Sequence, residues 1–393
     1  MKNIIITGGE LFNKGAQAMT FVAVDELKKR FPEHEICLLS EMDLERPEEA
    51  RRKYAFGFTG WYPIKFARCQ KNPLLRLICK LRNGTELKQA EKLYRNCDLM
   101  IDISGYALGS NWSMNNNSRY LDHLEFAHSF GIPMYLMSQS FGPFEFGPEH
   151  PGIDERCRKL LPTCKAILAR EQEGYDALTQ HYGLTNVQLA PDLVLNNKGI
   201  DLNHIFREIP EFQLPEIAPN SIAVVPNGRN LSVGDGAQVL ELYAAAISHA
   251  IGQGKAVYLL HHASSDAEIC RELKRRFEDN GNVVLLEQEF SCLEFNELVK
   301  RFDYLVASRF HSIVHAFKNG IPCIALGWAK KYEALLDRFG QGEYLFDVRC
   351  DVHTEHLLGA MDRMDQNREG ESEKILARLA DVQKTNVFDV LKL

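Results

Sequence analysis

Twenty-four residues, Tyr304-Leu-Val-Ala-Ser-Arg-Phe-His-Ser-Ile-Val-His-Ala-Phe-Lys-Asn-Gly-Ile-Pro-Cys-Ile-Ala-Leu-Gly327, restrict this chain more than any other stretch. An apolar run, Tyr304–Ala307, reads as a strand. Ser308 is placed as the N-cap of a helix of about three turns, and Gly320 suits its left-handed end. Pro322–Leu326 then reads as a second strand. A strand, a crossover helix and a second strand of this length imply parallel pairing with the helix lying on the sheet. Open sheets of this kind bind ligands outside the carboxyl ends of their strands. Arg309 and His311 fall there, beside a helix N-terminus that favours anions. A fixed cation and a titratable imidazole point to chemistry on an anionic substrate; an ordinary turn with solvated side chains fits the same residues.

The alternation recurs along the whole chain. Strands are expected at Ile4–Thr7, Glu35–Leu39, Leu99–Ile103, Met134–Ser138, Ala166–Ala169 and Val187–Ala190. A second series follows at Ile222–Pro226, Ala256–His261, Val283–Leu286, Tyr304–Ala307 and Cys323–Leu326. Helical periodicity lies between them, from Ala16 to Arg30, Gly236 to Gly252, Asp266 to Asp279 and Cys292 to Arg301. Pro210, Pro215 and Pro219 mark a linker between the two series. With 393 residues the chain exceeds what one core usually serves. The expectation is an α/β protein of two Rossmann-like domains, residues 1–209 and 220–350, followed by a helical tail, 351–393.

Several turns carry candidate ligands. Thr7-Gly-Gly-Glu-Leu-Phe-Asn-Lys-Gly15 joins the first strand to the first helix, yet it is neither G-x-G-x-x-G nor a P-loop. Asp102-Ile-Ser-Gly105 opens a polar stretch with Tyr106, Asn111, Trp112 and Arg119. Amides beside aromatics suit a sugar, whose hydroxyls take in-plane hydrogen bonds while an apolar face stacks. Ala169-Arg170-Glu171 sets another arginine at a strand's carboxyl end. His311 and His315 are four apart, but the glutamate of H-E-x-x-H is missing, so no metal is expected.

Charge is unevenly spread. Residues 51–95 hold twelve Lys/Arg against Glu86 and Glu91, a local +10; with −7 overall, the rest of the chain carries −17. The segment interleaves cations with Phe56, Phe58, Trp61, Tyr62 and Phe66, and Pro73–Leu81 reads as a basic amphipathic helix. An anionic membrane surface is the expected partner, and nucleic acid is disfavoured by the acidity elsewhere. No run reaches the roughly 18 apolar residues of a membrane span, and no leader precedes the first strand. Ten cysteines without a C-x-x-C pair read as reduced thiols. These features fit a cytoplasmic protein able to lie at the inner face of the membrane.

The run Ser308-Arg309-Phe310-His311, with Ala316 and Gly320-Ile321-Pro322, resembles the signature of the polysaccharide pyruvyl transferase family. Asn13 and Gly15, Gln139-Ser-Phe-Gly-Pro143, Arg170 and Pro191-Asp192 are similar to further elements of that family. The resemblance implies a GT-B-like arrangement, two domains facing across a cleft with a C-terminal helix crossing back to the first. It implies transfer of pyruvate, as a ketal, from phosphoenolpyruvate to a sugar of a polysaccharide or lipid-linked glycan precursor. No cofactor is implied beyond that donor substrate. His311 would be the general acid–base, and Arg170, Arg309 and Ser308 would hold the donor. Asn13, Tyr106, Asn111 and Trp112 would face the acceptor. Two alternatives stay open: a GT-B glycosyltransferase using a nucleotide sugar, and a non-catalytic glycan- or membrane-associated protein.

Overall fold

The computed structural model describes residues 2–60 and 72–393, and these form two parallel sheets covered by helices. The first sheet contains β1 (Asn3–Thr7), β2 (Glu35–Leu39), β3 (Gly57–Thr59), β4 (Cys97–Asp102), β5 (Tyr106–Leu108), β6 (Met134–Phe141), β7 (Ala166–Ala169) and β8 (Val187–Leu189). Their order is β3-β2-β1-β4-β6-β7-β8, with β5 laid along the end of β6. The second contains β9 (Ser221–Val225), β10 (Ala256–Leu260), β11 (Val283–Leu286), β12 (Leu305–Ala307), β13 (Cys323–Gly327) and β14 (Leu345–Asp347), ordered β11-β10-β9-β12-β13-β14. Each sheet reverses its direction of growth once, between β1 and β4 and between β9 and β12. Those two switch points are where such sheets open a crevice.

Burial explains why the strands read as unbroken apolar runs. Ile4, Ile5 and Ile6 are fully buried, as are Leu305, Val306 and Ala307, because helices cover both faces. Helix α1 (Lys14–Arg30) starts where the Asn13 side chain accepts from the Gly15 and Ala16 amides, and it ends on Lys28, Lys29 and Arg30. Its inner face joins an apolar cluster that runs on through Phe295, Phe317 and Phe388, so the two sheets share one core.

The helices differ from expectation at two places. Tyr106–Arg119 is not one polar loop: β5 is followed by helix α3 (Met114–Ser129), capped by Ser113, after helix α2 (Pro73–Arg95) earlier in the chain. Asn117 explains the departure from propensity, since its buried amide bonds the Gly109 amide and carbonyl and the Trp112 and Ser113 carbonyls. Helix α4 (Gly236–Gly252) has the expected bounds. Helix α5 (Phe310–Lys318) begins one residue late, with Arg309 at the cap position and no side-chain cap bond. Ser308 is thus not an N-cap; its hydroxyl is buried 2.5 Å from the Tyr243 hydroxyl. Gly320 ends α5 at φ 72°, and a Cβ there would meet Leu376 at 2.9 Å.

Helix α6 (Lys330–Arg338) follows β13, and helix α7 (Thr354–Val382) bends at Asn367. The tail then crosses back to the first domain. Asn386 donates to Glu26 at 2.9 Å, the Val387 amide to Asn196 at 2.9 Å, and Tyr135 to the Lys392 carbonyl at 3.1 Å. Phe56 of the basic segment lies in the core with Phe58 packed against it, stacked with Tyr54, so neither is a surface aromatic. Trp61, Tyr62 and Phe66 lie outside the described residues.

Candidate functional site

The two switch points face each other. From the first domain come the β1 turn and the start of α1; from the second comes the β12–α5 turn. Gly15 lies against His311, so closely that a Cβ on it would sit 2.3 Å from the imidazole Nδ1. Lys14 is buried and donates across the junction to the His262 carbonyl at 3.2 Å and to Glu289 at 3.2 Å. Gln17 accepts from the Cys292 amide at 2.6 Å. Asn13, expected to face an acceptor, instead spends its carbonyl oxygen on capping α1. The turn therefore works as a doorframe for His311.

His311 is 15% exposed, and its buried Nε2 makes no hydrogen bond among the described residues. The nearest carboxylate is Asp192, with Oδ2 at 4.0 Å. Burial pushes the imidazole down to about 4; Asp192 opposes that shift, while Arg170 and Lys331 add to it. Asp192 is itself buried and held below the usual carboxylate range. Burial alone would raise it, and charged His311 and Arg170 lower it. With His311 neutral above about pH 4, Arg170 is the partner that keeps Asp192 ionised at neutral pH. Asp192 also caps a short helix by accepting from the Val194 amide at 2.9 Å.

Arg170 was expected to grip the donor, but its donors are taken. Nε meets Glu171 at 2.9 Å, Nη1 meets Asp192 at 3.0 Å, and Nη2 meets the Ser140 hydroxyl and the Gly105 carbonyl. Only 7% of it is exposed, and its guanidinium lies 4.3 Å over the Phe310 ring. It is built as a hub that positions Asp192 and Phe310, and so His311. Arg309 is likewise part-committed: its Nε and Nη2 fork onto buried Asp266 at 2.7 and 2.6 Å. A fork onto a donor is therefore not on offer, although Nη1 has no hydrogen bond among the described residues. Ser308, locked to Tyr243, is closed to any ligand.

Cations that sequence reasoning missed line the crevice. Lys331 and Arg338 lie two turns apart on α6, and neither has a hydrogen bond or ion pair among the described residues. Burial lowers Lys331 to about 8, and partial desolvation lowers Arg338 although its side chain still reaches solvent. Lys331 sits over the Phe310 ring at 5.4 Å. It lines both a narrow pocket with Arg170, Asp192 and Arg338 and a cavity of about 230 Å³ between the sheets. The cavity is bordered by Tyr106, Asn111, Gly142, Glu171, Trp328 and Lys331. Two adjacent lysines at the end of β13, the strand that closes the signature βαβ unit, were the available signal.

A second cavity, about 350 Å³, opens at the β1–β4 switch point. Tyr106 lines both cavities; Trp112 and Arg119 line this one, beside Gly8 and Gly9 of the first turn. Tyr106 donates to the Gly142 carbonyl at 2.9 Å and receives from Asn111 at 3.2 Å, with the Trp112 ring tilted against it at 5.4 Å between centroids. The three candidate acceptor residues on this stretch are thus brought together. His262 and His315 pack below the site, both buried and driven down, His315 to about 3. Among the described residues no cluster of His, Cys, Asp or Glu is placed to hold a metal ion.

Solved structures share the architecture at low identity. A putative UDP-N-acetylglucosamine 2-epimerase from Listeria monocytogenes superposes with a TM-score of 0.58 at 11% identity, covering 99% of this chain and 94% of that one. MnaA of S. aureus, solved with UDP, gives 0.56 at 10% identity over 99% and 92%. The UDP-GlcNAc 2-epimerase from Methanocaldococcus jannaschii gives 0.55 at 13% identity over 97% and 99%. These likenesses show a GT-B-like fold and nothing finer. No curated protein matches the chain in sequence. The sequence model of the polysaccharide pyruvyl transferase family matches residues 13–330, from the cap of α1 through the signature turn to the start of α6, and the chain belongs to that family.

Proposed function

We propose that this enzyme transfers pyruvate from phosphoenolpyruvate to two hydroxyls of a sugar, in a polysaccharide or a lipid-linked glycan precursor, and leaves a ketal. The observation that carries the reading is the placement of Lys331. It is a cation with no polar partner among the described residues, lining the interdomain cavity and acting electrostatically on an imidazole whose Nε2 is likewise unpartnered. A small donor with a carboxylate and a phosphate meets this need. Lys331 and Arg338 take its charge, with Arg309 Nη1 contributing from the neighbouring turn. Tyr106, Asn111 and Trp112 hold the sugar where the two cavities meet.

The chemistry balances as follows. The methylene carbon of the enol gains a proton and becomes a methyl group. The neighbouring carbon becomes oxocarbenium-like and forms two C–O bonds to the sugar, while its bond to the phosphate oxygen breaks. Of the two hydroxyl protons released, one matches that on the methyl group and the other leaves on phosphate. His311 moves these protons. The trianionic donor supplies the negative charge that raises an imidazole held near 4, so it can be protonated when the donor is bound.

Thermal unfolding with phosphoenolpyruvate, and separately with UDP- and GDP-sugars, tests the reading. Phosphoenolpyruvate raises Tm, and His311→Ala keeps this shift while phosphate release in the presence of acceptor falls about 10²–10⁴-fold. A shift with nucleotide sugars alone, or normal turnover in His311→Ala, overturns it.

A further inference from the structure

Helix α2 has two unlike halves. Its C-terminal end is pinned to the first domain: Tyr94 is buried with its ring 4.7 Å from Phe126, and Asn3 donates to the Leu93 carbonyl at 3.2 Å. Its N-terminal half carries Leu74, Leu75, Leu77, Ile78 and Leu81 in the open. These are five of the twelve exposed large apolar side chains among the described residues, and Leu74, Leu77 and Leu81 are 66%, 55% and 79% exposed. A soluble surface rarely concentrates apolar area this way without a use.

The spacing sharpens the point. Leu74, Leu77, Ile78 and Leu81 recur at three and four residues, so they share one helix face. In the second half Lys88, Lys92 and Arg95 recur at the same spacing and are exposed, and Lys80 is exposed beside the leucines. Glu91, an acid of the same helix, is 3.5 Å from Arg76. Residues 76 and 91 of a straight helix would stand about 22 Å apart, so this contact means that α2 bends sharply between its two halves. The first half of α2 is therefore apolar on its exposed face and the second half cationic, in a chain that is acidic elsewhere.

We propose that the apolar face of the first half of α2 docks on an anionic lipid bilayer, with the leucines sunk among the acyl chains and the exposed cations Lys80, Lys88, Lys92 and Arg95 supplying the attraction to the headgroups. A second copy of the chain is the poorer occupant. A symmetric pairing of the face would set the lysines of one helix against those of the other. A bilayer accepts the leucines and supplies the counter-charge together. No described helix is long and apolar enough to cross the membrane, so the contact is a peripheral one. The inference does not depend on which donor the cleft takes.

Co-sedimentation with phosphatidylcholine vesicles, with and without about one third phosphatidylglycerol, tests it. The wild-type protein binds the anionic vesicles, leaves the neutral ones, and is released by high salt. Lys88→Gln/Lys92→Gln weakens binding on the order of 25-fold, about five-fold for each cation. Leu77→Ser/Leu81→Ser abolishes it, and both variants keep the wild-type Tm because the altered side chains are exposed. Equal binding to neutral vesicles, or binding that survives both variants, overturns the proposal. So does a wild-type dimer on light scattering that Leu77→Ser/Leu81→Ser dissociates, which assigns the face to a second copy. Phosphate release with a soluble acceptor is unchanged in both variants, so this test and that of pyruvyl transfer fail separately.

Discussion

His311 owes its availability to a residue with no side chain. Any Cβ at position 15 would overlap the imidazole, at 2.3 Å from Nδ1 and 2.5 Å from Cγ. Gly15→Ala should therefore displace the ring without touching a substrate. A misplacement of about 1 Å at a reacting group costs roughly 10²-fold in rate, so kcat should fall by that order while the protein stays folded. Wild-type kcat in this variant would show that the ring's position is not what matters. Arg170 is a positioning residue by the same geometry. Arg170→Lys leaves Asp192, Glu171 and Ser140 without their shared guanidinium. It should lower both Tm and kcat, whereas a variant altered only in donor KM would restore direct contact as its role. Sequence alone named His311, Arg170 and Arg309 as charged groups at strand ends. It could not tell a free cation from one spent on a buried carboxylate.

At the scale of the element, α6 is where legibility ran out. Nothing local singles out its lysines, and only the fold turns Lys331 over Phe310 and toward the cleft. A half-buried cation without a polar partner is a cost to stability that function must justify. Lys331→Met should hold or raise Tm while raising the donor KM about ten-fold or more, because a charge-assisted contact is lost. A lower Tm in this variant would mean the ammonium is there for the fold, and would count against an anion site. The α3 start failed differently: Asn115, Asn116 and Asn117 look like loop residues, yet Asn117 is recruited to tie the preceding turn. By contrast β2, β7, β11 and α4 appear with the bounds the periodicity implies, since alternation of apolar runs is a local property.

The molecule as a whole collects buried histidines. Burial lowers His123 and His311 to about 4 and His315 to about 3, with His262 lower than its usual range as well. In the unfolded chain each titrates near 6.5. As pH falls below that value the unfolded chain takes up protons that the folded one refuses, so stability is lost progressively between about 6.5 and the folded values. Each histidine contributes a slope of about 1.4 kcal/mol per pH unit within that window. Tm should drop steeply from pH 6.5 to 4, and His315→Gln should flatten the drop by about a quarter. A Tm independent of pH across this range would mean these imidazoles are not held neutral.

What the sequence by itself determined is the part that local chemistry controls. Apolar runs separated by amphipathic stretches demand parallel strands and crossover helices, and Gly320 ends a helix for reasons contained within a few residues. The family too is carried by contiguous motifs. Only the tertiary structure decided how the charges are used. Asp266 claims Arg309, Asp192 claims Arg170, and Tyr243 claims Ser308, across separations of 22 to 65 residues that no local pattern encodes. What remains unclaimed among the described residues, Lys331, Arg338 and the Nε2 of His311, is defined by the absence of a partner there. That absence becomes visible only when two domains, joined by a shared core and a returning tail, have closed around it.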